Sequence, residues 1–231
     1  IRRIHMRKYL LHILIISFVF LLTHTAQVAS YAGEVEDAKE EVRNNPDDAK
    51  AHYNLGVVYG ESGMYQEAIE SFKQVIRIDP DNANTHYNLG LAYRKLGKNE
   101  EAIESYKQAI EIDPDYADAH NNLGNAYSKL GMYKEAIKSY KQAIWIDPDF
   151  AMAHYNLGVV YDDSGKFKKA IKSYNHAIRI NPDYTKAHYG LGITYIILRD
   201  KSSALKQHKI LKKLDTKMAK KLLGRIYTEL D

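Results

Sequence analysis

Apolar residues recur along most of the chain with the spacing of amphipathic helices, in paired segments that repeat every 34 residues. In residues 117–150, Leu123, Tyr127 and Leu130 share one face of a first predicted helix. Gly131 follows this segment, and glycine favours the left-handed conformation in which helices commonly end. The pattern therefore predicts a first helix that ends at this glycine.

The second segment of the same repeat predicts another helix. Ile137, Tyr140 and Ile144 continue the helical period, and Pro148 ends the segment because proline lacks a backbone N–H and clashes with the preceding turn. Two-helix segments repeated at a fixed period of this length indicate a stack in which each pair buries its apolar face against its neighbours. The expected fold is all-α, with one long concave face and no enclosed pocket.

Several side chains recur at fixed places in every copy of the repeat. The first four copies have Leu-Gly, a tyrosine three residues later, and then alanine, an aromatic residue, a second alanine (valine in the first copy) and proline, and the fifth copy has this pattern in part. This combination resembles the tetratricopeptide repeat. The resemblance implies a right-handed α-solenoid of stacked two-helix units whose first helices line a concave groove. Four complete units and a degenerate fifth are expected at residues 49–82, 83–116, 117–150, 151–184 and 185–218.

Both ends of the predicted array depart from the repeat. Residues 33–48 predict an N-terminal half-repeat, and residues 217–231 predict a C-terminal capping helix. In the fifth unit, Arg199 replaces the break glycine, His208 the aromatic residue and Thr216 the proline. Terminal repeats of stacked arrays are usually atypical because one of their sides meets water.

The N-terminal segment differs from the rest of the chain. Residues 1–32 contain four basic residues, no acidic residue and an apolar run from Leu10 to Leu22. This pattern predicts a secretory signal peptide, with Met6 as a more conventional start and a cut after Ala32, or alternatively after Ser30. The expected location is therefore periplasmic or secreted. The alternative is an uncleaved membrane anchor, although the run is shorter than the roughly 20 residues of a spanning helix.

Composition narrows the chemistry further. The chain has no cysteine, which excludes disulfides and thiolate zinc sites. Residues 33–231 carry 29 basic and 29 acidic side chains, so the body lacks the basic character of a nucleic-acid-binding protein. Residues 199–231 are basic, with ten Lys or Arg against four Asp or Glu. Membrane contact is expected only through the N-terminal segment or this basic end, whose simplest interpretation is a solvated cap.

One histidine per unit suggests a metal site, but the geometry argues against it. Equivalent residues of stacked units lie roughly 10 Å apart, about one helix diameter. Zinc binds nitrogen at about 2 Å, so its ligands must converge. We expect the histidines to pack between helices, where the resembling family has aromatic residues, and we predict no metal or cofactor. They are His52, His86, His120, His154 and His188.

An asparagine follows two residues after four of these histidines. The resemblance implies that this position faces the groove, where a carboxamide can both donate to and accept from a peptide backbone. The series resembles the asparagine ladder along the peptide-binding superhelix of O-GlcNAc transferase. We expect no role in holding each helix pair together. The alternative is that asparagine is simply common here, and the fifth unit has Gly190. The ladder consists of Asn54, Asn88, Asn122 and Asn156.

Tyrosines are expected to flank the ladder, with Asn125 one turn further along its helix. Tyrosine combines a large contact area with a polar tip, which suits a peptide contact. The alternative is partial burial between adjacent first helices. Chaperone-binding members of the resembling family use a lysine-based carboxylate clamp, but Tyr53 and Val57 occupy its positions here. The predicted contact tyrosines are Tyr53, Tyr87, Tyr155 and Tyr189.

No motif supports catalysis. The chain lacks G-x-S-x-G, a phosphate-binding glycine loop and H-E-x-x-H, and the repeats occupy nearly all of it after residue 32. We therefore predict an exported, non-enzymatic scaffold that binds a protein or an extended peptide in its groove. Two alternatives are a membrane-tethered assembly factor for an envelope complex and a recruiting subunit of a separately encoded enzyme.

Overall fold

Residues 31–230 are described by the computed structural model, and all of their regular secondary structure is helical. Helix α1 occupies residues 31–44. The helices that follow are α2 (Ala49–Glu61), α3 (Tyr65–Ile78), α4 (Ala83–Lys95), α5 (Asn99–Ile112), α6 (Ala117–Lys129), α7 (Tyr133–Ile146), α8 (Ala151–Asp163), α9 (Phe167–Ile180), α10 (Thr185–Ile197), α11 (Lys201–Leu214) and α12 (Thr216–Leu230). The predicted all-α class is confirmed.

The predicted signal peptide lies almost wholly outside the described residues. Only its last two positions, residues 31 and 32, are described, and they belong to α1. Within residues 31–230, no helix combines the length and the apolar character that a membrane crossing requires.

The helices alternate regularly in length. From α2 to α11, each first helix has 13 residues and each second helix has 14. Four of the turns inside these pairs contain a glycine with positive φ, a conformation that a side chain disfavours. They are Gly63 (78°), Gly97 (77°), Gly131 (72°) and Gly165 (71°). The helix end predicted at Gly131 is thus confirmed.

The fifth pair keeps this turn without the glycine. Arg199 adopts a φ of 61° at the break position. Its guanidinium donates a hydrogen bond to the main-chain oxygen of Glu229, with a nitrogen–oxygen distance of 2.7 Å. The contact joins the turn to α12, so the atypical residue links the last pair to the capping helix.

The chain divides into two compact units between Leu96 and Gly97. The division falls within the predicted repeat 83–116, after α4. In the first unit, Val35 of α1, Leu55 of α2, Phe72 of α3 and Leu89 of α4 are buried in one core. This core places α2 and α4 side by side against α3.

In the second unit, tyrosines from the second helices fill the core. Tyr140 of α7 and Tyr174 of α9 are almost fully buried. A β-carbon on Gly124 would lie 2.6 Å from the Tyr140 ring, and one on Gly158 would lie 2.6 Å from the Tyr174 ring. These glycines therefore allow the first helices to approach the rings closely.

Helix α12 closes the C-terminal end of the second unit. Its Ala219, Leu222 and Ile226 are buried together with Leu211 of α11. A β-carbon on Gly192 of α10 would lie 2.7 Å from the Leu222 side chain. Helix α12 thus packs on α10 and α11, as a capping helix does.

Candidate peptide-binding face

The nine residues predicted to contact a peptide all lie on first helices. Each of them is partly exposed to solvent. Helix α2 supplies Tyr53 and Asn54, α4 supplies Tyr87 and Asn88, α6 supplies Asn122 and Asn125, α8 supplies Tyr155 and Asn156, and α10 supplies Tyr189. None of these side chains is buried out of reach of a partner.

In the first unit, two of these residues are joined by a hydrogen bond. Asn88 Nδ2 donates to the Tyr53 hydroxyl oxygen at 2.8 Å. The Tyr53 ring also packs edge-on against Phe72, with 5.9 Å between ring centroids. We call such a bond between successive first helices a rung. The Asn54 side chain forms no hydrogen bond within the described residues.

The second unit contains a rung at the same positions. Asn156 Nδ2 donates to Asn121 Oδ1 at 3.0 Å, which connects α8 to α6. Asn121 stands where the other units have tyrosine, and its side chain is only 1% exposed. Sequence reasoning missed Asn121, although its place in the tyrosine series was a signal. Asn88 and Asn156 thus have a role in stacking successive repeats that the sequence analysis did not predict.

A connected set of hydrogen bonds surrounds Asn125. The Tyr140 hydroxyl donates to Asn125 Oδ1 at 2.8 Å, and Asn125 Nδ2 donates to Asn122 Oδ1 at 3.2 Å. Asn122 Nδ2 in turn donates to the main-chain oxygen of Asp118 at 3.1 Å. Burial raises the pKa of Tyr140, so its hydroxyl remains a donor. These bonds fix the orientation of both carboxamides on α6.

Asp162 makes a further link between helices, which the sequence did not reveal. Its Oδ2 accepts hydrogen bonds from the Tyr174 hydroxyl at 2.9 Å and from Thr194 Oγ1 at 2.7 Å. Burial raises the pKa of the Asp162 carboxyl group, while the Thr194 and Tyr174 bonds oppose the rise. One carboxylate therefore ties α8 to both α9 and α10.

The ladder changes character where it meets the fifth repeat. A β-carbon on Gly190 would lie 2.9 Å from Tyr174 Cζ, so that ring requires a glycine where other repeats have asparagine. Tyr155 packs against the Tyr174 and Tyr184 rings, with centroids 5.9 and 5.3 Å away. Lys221 Nζ lies over the Tyr189 ring, 5.5 Å from its centre.

An apolar cleft of about 240 Å³ opens beside the rung of the first unit. Gly60 of α2 lies at the edge of this cleft, and a β-carbon on Gly60 would meet no atom within 4 Å. Packing therefore does not require glycine at this position, where other repeats have Arg94, Ser128, Asp162 and Ile196. The cleft is lined by Gly56, Val57, Gly60, Glu61, Tyr65, Phe72, Asn88, Leu91, Ala92 and Lys95.

Each repeat histidine contacts the turn that precedes its helix. In all five, Nε2 lies 2.8–3.0 Å from the main-chain oxygen of the proline six residues earlier. Since a carbonyl only accepts, Nε2 carries the proton and donates. Three of the rings are buried, which confirms packing for His86, His154 and His188. Within residues 31–230, no three His, Asp or Glu side chains are grouped to hold a metal.

Family models of the tetratricopeptide repeat match the chain over most of its described length. One form matches residues 61–97 and 90–131, a second matches 117–150 and 151–184, and a third matches 38–70. No curated protein matches the chain significantly.

Solved structures with the same fold include two MamA proteins and YrrB. A MamA crystal structure is 32% identical over 72% of this chain and 97% of its own, with a TM-score of 0.67. MamA from Desulfovibrio magneticus RS-1 is 24% identical over 73% of this chain and 96% of its own, with a TM-score of 0.68. YrrB, described as a TPR protein with an unusual peptide-binding site, is 19% identical. The match covers 80% of this chain and 96% of YrrB, with a TM-score of 0.64. The repeated motif, the paired helices and these matches show that the chain belongs to the tetratricopeptide repeat family.

Proposed function

We propose that this chain is a non-enzymatic scaffold that binds a protein or an extended peptide segment along its first helices. Family membership supports this class of function, because stacked helical repeats present extended binding surfaces. The fold shared with YrrB, whose own structure is described as having a peptide-binding site, agrees with a peptide as the kind of partner.

The observation that carries the proposal is a polar rung beside an apolar cleft in the first unit. Asn88 donates to Tyr53 and also lines the cleft. That bond uses one N–H group, whereas a carboxamide has two N–H groups and an acceptor oxygen. Because the rung already orients the side chain, a peptide backbone can pair with Asn88 at little further cost in side-chain ordering.

The cleft provides a place for a side chain of the same peptide. Phe72, Val57 and Leu91 give it an apolar lining, and the missing side chain of Gly60 opens it. A glycine inside a helix costs roughly 0.5–1 kcal/mol relative to alanine, and no neighbour of Gly60 requires that cost. An open cleft next to an oriented carboxamide suits an extended peptide that places an apolar residue there.

Filling the cleft tests this function directly. Peptides would first be selected on the full chain from a random library, and their affinities then measured for G60L and G60A. Leucine should block the cleft and weaken binding about 10-fold or more, the value of roughly one lost apolar side-chain contact. Alanine should leave binding within a few-fold, and should stabilise α2 because it favours the helix.

Ser128 occupies the same repeat position in the second unit and gives a matched control. S128L adds a similar side chain away from the cleft, so peptide affinity should change little. Equal binding by wild type, G60L and S128L, with helical content preserved, would overturn the role of the cleft. Failure of the library to yield any binding peptide would overturn the proposed function itself.

We also propose that the chain is exported. The support is the basic start of residues 1–32 and the apolar run from Leu10 to Leu22. A scaffold of this kind would then meet its partner in the periplasm or outside the cell.

A further inference from the structure

The C-terminal end of the second unit carries a dense group of exposed lysines. Helix α11 contains no acidic residue, and α12 contains only Glu229. The two helices pack against each other, so their lysines belong to one end of the second unit. We call this surface the lysine face, and its exposed members are Lys206, Lys209, Lys212, Lys213, Lys217, Lys220 and Lys221.

The nearby carboxylates each have another partner, although the charge of Lys206 adds to the Ser203 hydrogen bonds that lower the pKa of Asp200. Asp200 accepts a hydrogen bond from a main-chain N–H at the start of α11, and Asp215 does the same for α12. Glu229 pairs with Arg225 Nε at 2.6 Å. Within the described residues, none of the seven lysines forms an ion pair. The positive charge of the lysine face is therefore not neutralised by the chain itself.

Apolar side chains are exposed among these lysines. On α11, Lys206, Lys209 and Lys213 fall within about 60° of one another around the helix axis. Leu205 and Ile210 flank them on either side and are 37% and 38% exposed. A helix that exposes both lysine and aliphatic side chains suits the boundary between lipid headgroups and acyl chains.

Helix α12 adds an aromatic residue to the same surface. Tyr227 is 56% exposed, and Lys201 Nζ lies 5.7 Å from the centre of its ring. Tyrosine is favoured at membrane–water interfaces because its ring is apolar and its hydroxyl is polar. The lysine face thus combines cations, aliphatic side chains and an interfacial aromatic ring.

We propose that the lysine face docks on an anionic phospholipid bilayer. The lysines would contact lipid phosphates, while Leu205, Ile210 and Tyr227 enter the headgroup region. Charges spread over two helices match an extended anionic surface better than a single acidic side chain or a small anion. This docking is independent of peptide binding by the rungs, which involve other helices.

A single fluorescent label can report the contact, because the chain has no cysteine of its own. Ser202 lies exposed on α11 between the lysines, and Gln108 lies exposed on α5. The full chain with S202C or Q108C would carry a polarity-sensitive dye. Vesicles would consist of phosphatidylcholine with or without phosphatidylglycerol. We expect a blue shift at position 202 with phosphatidylglycerol vesicles only, lost at high salt, and none at position 108.

Removing charge from α11 should abolish the signal. Each lysine near an anionic surface contributes about 1 kcal/mol, so K206Q/K209Q/K213Q should weaken the vesicle-dependent shift roughly 100-fold in lipid concentration. The matched control K134Q/K138Q/K141Q removes the same charge from exposed positions on α7. It should change the lipid concentration required for the shift less than about 3-fold. L205S/I210S should weaken the shift while leaving the charge intact.

Each contrary result would overturn membrane docking. An unchanged spectrum at position 202 on phosphatidylglycerol vesicles would show that α11 does not touch lipid, even if residues 1–32 attach the chain. Equal losses of vesicle binding in the α11 and α7 variants would show that binding depends on the net charge of the chain and not on the lysine face. A shift produced by soluble polyglutamate and not by vesicles would assign the face to an acidic polypeptide.

Discussion

Among single residues, the asparagines of the two rungs have partners that differ in burial. Asn156 pairs with Asn121, which is buried, whereas Asn88 pairs with the partly exposed Tyr53. A buried polar atom without a partner keeps its full desolvation cost, but water satisfies an exposed one. The same residue type should therefore contribute unequally to stability in the two units.

Alanine substitution tests this difference. N156A should lower the free energy of unfolding by about 1–3 kcal/mol, and N88A by about 0.5–1.5 kcal/mol. Urea unfolding followed by circular dichroism measures both values. N54A is the control, expected to change stability by less than about 0.5 kcal/mol because the Asn54 side chain forms no hydrogen bond within residues 31–230. Similar losses for all three variants would contradict a structural role for the rungs.

The sequence predicts some of these residue roles and hides others. The constant six-residue spacing from proline to histidine is visible in every repeat, so the bond from His120 to the Pro114 oxygen could have been found from it. The Asp162–Thr194 bond could not, because it joins residues 32 positions apart through a side chain that no other repeat has.

At the scale of elements, the turn between α10 and α11 combines two opposing effects. Arg199 holds a left-handed backbone that costs a non-glycine residue roughly 1–2 kcal/mol. Its side chain offsets part of this cost by bonding to the main-chain oxygen of Glu229. The turn is kept because the packing of α11 and α12 specifies it, even where the local residue type does not.

Two substitutions separate these effects. R199G and R199A both lose the bond to α12, but only glycine relieves the backbone. R199G should therefore be more stable than R199A by about 1 kcal/mol, as measured by thermal or urea unfolding. Equal stabilities would mean that the left-handed turn is not maintained at this position.

Helix positions were predictable because the apolar period and the glycine and proline breaks are local signals. The helices of residues 117–150 end at the predicted places. The division of the chain after Leu96 was not predicted, since it cuts through a repeat of ordinary sequence. The cleft beside Gly60 was also missed, because an open space depends on three helices meeting.

For the molecule as a whole, the proposal of export rests on residues 1–32. A basic start followed by an apolar run and small residues should be cleaved during secretion. N-terminal sequencing of the protein from its native host should begin at Tyr31 or Gly33. Recovery of intact residues 6–32 in the membrane fraction would favour the tethered alternative instead.

We propose above all that the ladder asparagines bind a peptide backbone. The most direct test measures the affinity of a library-selected peptide for N88A/N122A/N156A. Each lost hydrogen bond is worth about 0.5–1.5 kcal/mol, so the three together should weaken binding about 10- to 1000-fold. G192A provides a control for lost stability, because its β-carbon would press on the buried Leu222 side chain, which contacts none of the three asparagines.

The comparison is made at a temperature where circular dichroism shows all variants fully helical. We expect a large loss of affinity for the triple variant and wild-type affinity for G192A. Unchanged peptide affinity in the triple variant, with helical content intact, would contradict this expectation.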